Sequence, residues 1–266
     1  DNRVTDNSGI VNFNVGNFNY GGGNFAGYYS VHTAGLTSTF TASGLMQITF
    51  ANAATDTCAF IGRSQGAVAI STMKLNLNVG GNFVITGPAG LFISNMAKGR
   101  ETINITGSAN ISGGKNFFGA LSTNSLTAHF VDLNIGTDMQ VFGGITALSG
   151  GNDTVDVSIG GNMSMSLGEL AIQYGNKYAV MNVLGGFNMS GGTFFLHKNA
   201  TEISLEQVDL VINSDNNAIG DFSHTGGTIN FENNATSSKQ NFLVVNSPNI
   251  TFGGTGIMTS ANPGTG

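Results

Sequence analysis

The chain has 266 residues, 40% of them apolar and only 9% charged, with 40 glycines and a formal charge of -6. Disordered chains escape collapse by the opposite recipe, high charge and low hydrophobicity, so this one must fold or aggregate. Nine scattered Lys and Arg residues leave no basic stripe for nucleic acid, and no apolar run approaches the roughly 20 residues of a membrane-spanning helix.

The chain begins at Asp1 with no charged region followed by an apolar one. It reads as a mature or excised chain whose targeting segment is gone. Residues 1–74 alternate apolar and polar in IVNFNV, GNFNY and LMQITF without a clear repeat boundary. They are expected to form divergent N-terminal rungs of a solenoid or, alternatively, a separate β element used in assembly. GNFNYGGGNFAG at 16–27 precedes no helix, so it lacks the amides and dipole that hold phosphate and reads as turns. Cys58 is the single cysteine, which excludes an internal disulfide and a cysteine metal cluster.

From residue 75 a repeat emerges. LNLNV, TINIT, VDLNI, VDVSI, VMNVL, VDLVI and FLVVN start at 75, 102, 131, 155, 180, 208 and 242, 24 to 34 residues apart. GLFISN from Gly90, GGITALSG from Gly143, GGTFFLHKN from Gly191 and GGTINFENN from Gly226 follow the same rhythm. A third run lies between the two series, as in NFVITG at 82–87 and NMSMSLG at 162–168. Period-two alternation over four to six residues marks strands with one buried face, and glycine is too frequent for helices. The fold predicted is all-β: a single parallel β-helix (β-solenoid) of nine or ten rungs, with three short strands per rung, a period of about 24–29 residues and almost no helix.

NVGGNFVIT at 78–86, VSIGGNMSMS at 157–166 and VLGGFNMSG at 183–191 share an apolar residue, two glycines and an asparagine. Val79, Ile159 and Leu184 are expected to point inward before a sharp turn, and Phe83, Met163 and Met189 after it. The turn glycines Gly80, Gly81, Gly160, Gly161, Gly185, Gly186, Gly226 and Gly227 are expected to supply positive φ. Asparagines should stack into hydrogen-bonded ladders between rungs.

This repeat grammar resembles the parallel β-helices of bacterial surface proteins. GGTINFENN at 226–234 and FISN at 92–95 look like the GG-apolar-apolar and FxxN motifs of chlamydial polymorphic outer-membrane proteins. VGGNFVITG and IGGNMSMS are similar to filamentous-haemagglutinin-type adhesin repeats. The resemblance covers roughly residues 75–260 and implies an extracellular, adhesive or structural role, with no catalytic residues to carry over.

Chemistry-bearing signals are sparse. SGGNDTVDV at 149–157 resembles one calcium-binding nonapeptide of the RTX type, with Asp153 as ligand, but such sites need consecutive copies. Asp132 and Asp156, with Asp209 further on, fall at matching places in their repeats and could form an outward carboxylate row for Ca²⁺, or plain solvated positions. No other cofactor is implied. His32, His129, His197 and His224 lie outside metal-ligand spacing and read as surface or turn residues. A sugar-cleaving β-helix would need converging carboxylates, for which Asp132, Asp138, Asp153 and Asp156 are the candidates. The chain has no Trp and five Tyr for stacking on sugars, and its 19 Phe suit a core stacked from rung to rung. Eight Asn-X-Ser/Thr sequons leave glycosylation open.

A solenoid has two open ends of unpaired strand edge, normally capped. Neither terminus shows a cap, and Val11, Phe13 and Val15 form an uncharged edge suited to pairing with another copy. The function expected is that of a secreted or cell-surface structural protein, non-enzymatic, a subunit of a self-assembling head-to-tail filament or biofilm-type matrix. The alternatives are an adhesin passenger domain binding host or cell-surface glycans, and a carbohydrate-active β-helix or phage tailspike.

Overall fold

The computed structural model of the protein describes residues 3–4, 10–26, 29–30, 37–60, 74–94, 99–119, 129–151, 153–175, 177–198, 207–213, 220–231 and 241–259. Among these residues there are strands and turns and no helix. One sheet stacks nine parallel strands: Ile10–Val15, Thr37–Ala42, Lys74–Val79, Gly99–Ile105, His129–Ile135, Asp153–Ile159, Ala179–Val183, Val208–Ile212 and Phe242–Val245. The second follows the same order: Phe18–Tyr20, Met46–Thr49, Phe83–Thr86, Ala109–Phe117, Met139–Ala147, Met163–Gln173, Phe187–His197, Phe222–Asn230 and Ile250–Phe252. In both sheets every strand between the first and last rungs pairs with its counterpart one rung before and one rung after, and all pairs are parallel. The protein is a parallel β-solenoid, with nine rungs among the described residues.

In rungs one to three and in rung nine the third run is a separate strand (Asn24–Ala26, Thr57–Ala59, Leu91–Ile93 and Ile257–Thr259). In the five rungs between, the second and third runs are one strand of nine to eleven residues. The corner expected between two strands is a bend within one, at Gly114, Gly144, Gly168, Gly192 and Gly227, whose φ values lie between 76° and 81°. The pairing register shifts at the same place, the mark of a bulge.

The first corner works differently. Three residues join the first strand to the second in rungs two to seven, and their N–H groups bond to the turn of the rung before: Gly81 to Gly44 O, Gly107 to Gly81 O, Gly161 to Thr137 O, Gly185 to Gly161 O. Of the predicted turn glycines only Gly227 has positive φ. The pairs Gly80–Gly81, Gly160–Gly161 and Gly185–Gly186 are needed for closeness instead. A Cβ on Gly80 would overlap the Ser43 carbonyl, and one on Gly185 would sit 2.7 Å from Gly161 O. The asparagine completes the turn, with Asn82 Oδ1 accepting from Ser108 N at 3.0 Å and Asn162 Oδ1 from Gly186 N at 2.8 Å. Gly226 lies at the other corner, beside the positive-φ Gly227.

Inward side chains form columns along the solenoid. One runs Phe40, Leu77, Ile103, Leu133, Val157, Met181, Leu210; another runs Met46, Phe83, Ala109, Met139, Met163, Phe187, Phe222. All of these are buried. Val79, Ile159, Phe83, Met163 and Met189 point inward as expected, but Val183 and not Leu184 continues the column before the turn, and Met189 stands opposite Met165, with Phe187 opposite Met163. The apparent run starts are likewise one residue off in places, since Leu75 pairs with Glu101 and Val155 with Ala179. A buried Glu and a short Ala hide the first inward position of those strands, and a one-residue slip exchanges the two faces.

Candidate functional site

The outer face of the first sheet gathers much of the charge. Asp132 and Asp156 are direct neighbours on adjacent rungs, while Val180 separates Asp156 from Asp209. Arg100, one rung before, binds Asp132 through Nε, and through Nη2 at 2.9 Å. Partial burial, then the Asp132 charge, holds the Asp156 carboxyl above the usual carboxylate range, with Arg100 opposing. Tyr178 is raised by burial and then by Asp209 and Asp156. Asp209 accepts from Gln207 Nε2 at 2.7 Å. A shallow depression of about 300 Å³ lies at the end of this sheet, lined by Asn104, Asn134, Ser158 and the Gly136 and Gly160 turns.

Asp153 goes elsewhere. It lies three residues before Asp156 on the same strand and is buried, so the two carboxylates leave the sheet on opposite sides. Asp138 sits at the first corner, taking the Asn162 N–H at 2.7 Å. The sugar-cleaving candidates therefore yield one adjacent pair, Asp132 and Asp156, and two carboxylates placed apart from it. Among the described residues no three His, Cys, Asp or Glu side chains group to hold a metal ion.

Three of the histidines expected at the surface are interior; His32 lies outside the described residues. His129, His197 and His224 are buried, each at an inward position of its strand. His129 Nδ1 bonds Asp153 Oδ1 at 2.7 Å, and Ser149 Oγ donates to Asp153 Oδ2 at 2.8 Å. Gln173 Nε2 reaches the carbonyls of Asp153 (2.7 Å) and Lys177 (3.2 Å), and its Oε1 accepts from Gly175 N at 2.9 Å. His197 Nε2 donates to Gly175 O, and burial lowers its pKa to about 4. This polar cluster lines the corner from which the inter-rung loops leave. Sequence periodicity marks its members only as inward-facing, and their polarity hid that.

At the first end, Ile10–Val15 pairs with Thr37–Ala42, and its other edge has no partner strand among the described residues. Phe13 and Val15 continue interior columns onto Phe40 and Ala42, and Val11 pairs with Ser38. Phe13 stacks on Phe40 at 5.2 Å yet stays 49% exposed. Arg3–Val4 pairs with Tyr29–Ser30 and, among the described residues, with no other strand. At the other end Leu243, Val245, Ile250, Phe252 and Met258 occupy inward positions over rung eight, with Ile250 52% and Phe252 60% exposed. No family model matches this chain, and no curated protein or solved structure does.

Proposed function

We propose that this protein is a structural subunit that polymerises end to end, the first rung of one copy stacking on the ninth rung of the next, in an extracellular fibre or matrix. The observation that supports this reading is the match between the two ends. Five interior columns run from one end to the other: Phe13 and Leu243, Val15 and Val245, Phe18 and Ile250, Tyr20 and Phe252, Phe25 and Met258, and of these ten residues only Tyr20 is buried. A second copy stacked in register would carry each column onward as a tenth rung. Because all strands are parallel, the two edges are opposite halves of one ladder. Ile10–Val15, Phe242–Val245, Ile250–Phe252 and Ile257–Thr259 contain no charged residue to block pairing. Such a heterologous contact does not close on itself and gives a filament. The extracellular setting rests on the likeness of the repeat grammar to bacterial adhesin solenoids.

Negative-stain electron microscopy of the full chain, with and without Ca²⁺, tests the reading. Filaments with an axial repeat of about 43 Å, nine rungs at about 4.8 Å each, are expected for the wild type and not for Phe13→Asp. Dispersed rods at every concentration would overturn it. A Ca²⁺ requirement lost in Asp156→Asn would give the Asp132–Asp156 pair a role in assembly. A second reading, a sugar-cleaving face, draws on that same pair, because a carboxyl held above its usual range, as Asp156 is, beside a second carboxylate suits acid–base work. Reducing ends released from a polysaccharide by the wild type and not by Asp156→Asn would favour it.

A further inference from the structure

Between the first corner and the bend, the outer face of the second sheet carries no charge along all nine rungs; Lys115 and Glu169 stand beyond the bend. From one end to the other its outward positions are Asn19, Gln47, Val84, Asn110, Gln140, Ser164, Asn188, Ser223 and Thr251. A second outward row holds Thr49, Thr86 and Ser112, with the Thr86 hydroxyl 3.2 Å from that of Thr49. The first sheet's outer face, by contrast, carries Lys74, Arg100, Asp132, Asp156 and Asp209. Where the second sheet bends, Phe142 and Leu167 stand side by side on rungs five and six, 43% and 63% exposed. Isolated exposed apolar residues need no explanation, but two adjoining ones at mid-length beside a long neutral face do.

We infer that this face is a lateral contact between two copies of the chain, packed antiparallel about a two-fold axis that runs along the strands between rungs five and six. Three observations select a second copy as the occupant. The axis keeps the bent corner on the same side of both copies, so Phe142 and Leu167 of one meet Leu167 and Phe142 of the other at the centre of an isologous patch. The charge of -6 makes two copies repel, and the stretch of this face before the bend brings no charges against each other, unlike the first sheet with Asp132, Asp156 and Asp209. The rung spacing is the same in both copies, so rows of amides and hydroxyls stay in step along the whole overlap, as in stacked Asn and Gln ladders. Eight rungs overlap, over about 38 Å by about 13 Å. That is roughly 500 Å² a side, which reaches the roughly 1,000 Å² in total expected of a specific interface.

The contact shares only the Thr251 position of rung nine with end-to-end stacking and does not involve Phe13, so the two fail separately. The test places Leu167→Cys in the Phe13→Asp background, which removes the end contact. Cys58 is buried and its thiol is held protonated by burial, so it does not compete for a thiol reagent. A bismaleimide with a reach of about 10 Å, the spacing of facing sheets, is expected to give a covalent dimer as the main product, while Asn134→Cys on the charged sheet stays monomeric. Light scattering of Phe13→Asp without any added cysteine is expected to show twice the mass of one chain, returning to a single mass with Leu167→Lys. A single-chain mass for Phe13→Asp, or equal crosslinking from both cysteine positions, would overturn the inference. So would a monomer that instead binds a neutral polysaccharide, which would make the face a glycan platform.

Discussion

The two long walls of the solenoid and the corner from which its loops leave solve the same problem by different means. Along the walls the chain returns after a fixed distance, so backbone groups pair rung to rung and inward side chains are free to be apolar. At the loop corner the connections vary: five residues separate Ala147 from Asp153 and Gln173 from Ala179, but eleven separate Phe117 from His129. Among the described residues, backbone bonds from rung to rung reach only the loop residues nearest the strands, as from Tyr174 N to Ser149 O and from Lys198 N to Gln173 O, and beyond them loops of unequal length do not stay in step. Side chains supply partners there. Gln173 serves the Asp153, Gly175 and Lys177 backbone, Ser149 Oγ accepts from the Gly151 N–H, and His197 holds Gly175 O. The interior is therefore polar where the repeat length varies and apolar where it does not.

The largest effect expected is on a wall. Phe187 stacks on Phe222 at 5.4 Å and meets Phe194 edge-on at 5.8 Å. Phe187→Ala is expected to cost about 3–5 kcal/mol, read as a lower midpoint in denaturant, with no change in pH dependence. The corner should instead respond to pH. His197 has a folded pKa of about 4 against an ordinary 6.5. The unfolded chain takes up this proton as pH falls through 6.5, and the folded one does so only near 4. Stability is full above about pH 6.5 and falls towards pH 4, by at most about 3 kcal/mol. Thermal melts between pH 7 and 4 should show that slope in the wild type and a shallower one in His197→Gln.

Gln173→Ala leaves three backbone groups without their partner and is expected to cost about 2–3 kcal/mol. If instead it costs no more than an outer-face change, the corner is wet and the contrast with the walls weakens. Outside, the ladder from Thr41 through Asn78 and Asn104 to Asn134, with bonds of 2.9 to 3.5 Å, bears out the expected stacking of asparagines. Removing Asn104 by N104A should cost about 1 kcal/mol. Arg100→Ala, which breaks an exposed ion pair with Asp132, is expected to change stability by no more than about 0.5 kcal/mol, and its Tm should shift least of all.

Strand-length alternation, the glycine density and the recurrence of IGGNM-like turns are local quantities, and they determined the parallel solenoid and narrowed its length to nine or ten rungs. Each inward Val, Ile or Phe announces itself by its spacing from the next. What tertiary structure alone decided is whatever depends on the neighbouring rung. It set the register where Glu101 and Ala179 occupy inward positions, and it drew His129, His197 and Asp153 inside to serve one another and the loop backbone. It also separated two uses of glycine that look alike in the sequence. Gly80 is required because the carbonyl of Ser43 lies against it, and Gly168 because its φ is 81°. A contact made across 24 or more residues leaves no trace in the order of the residues beside it; only stacking the rungs brings the two partners together.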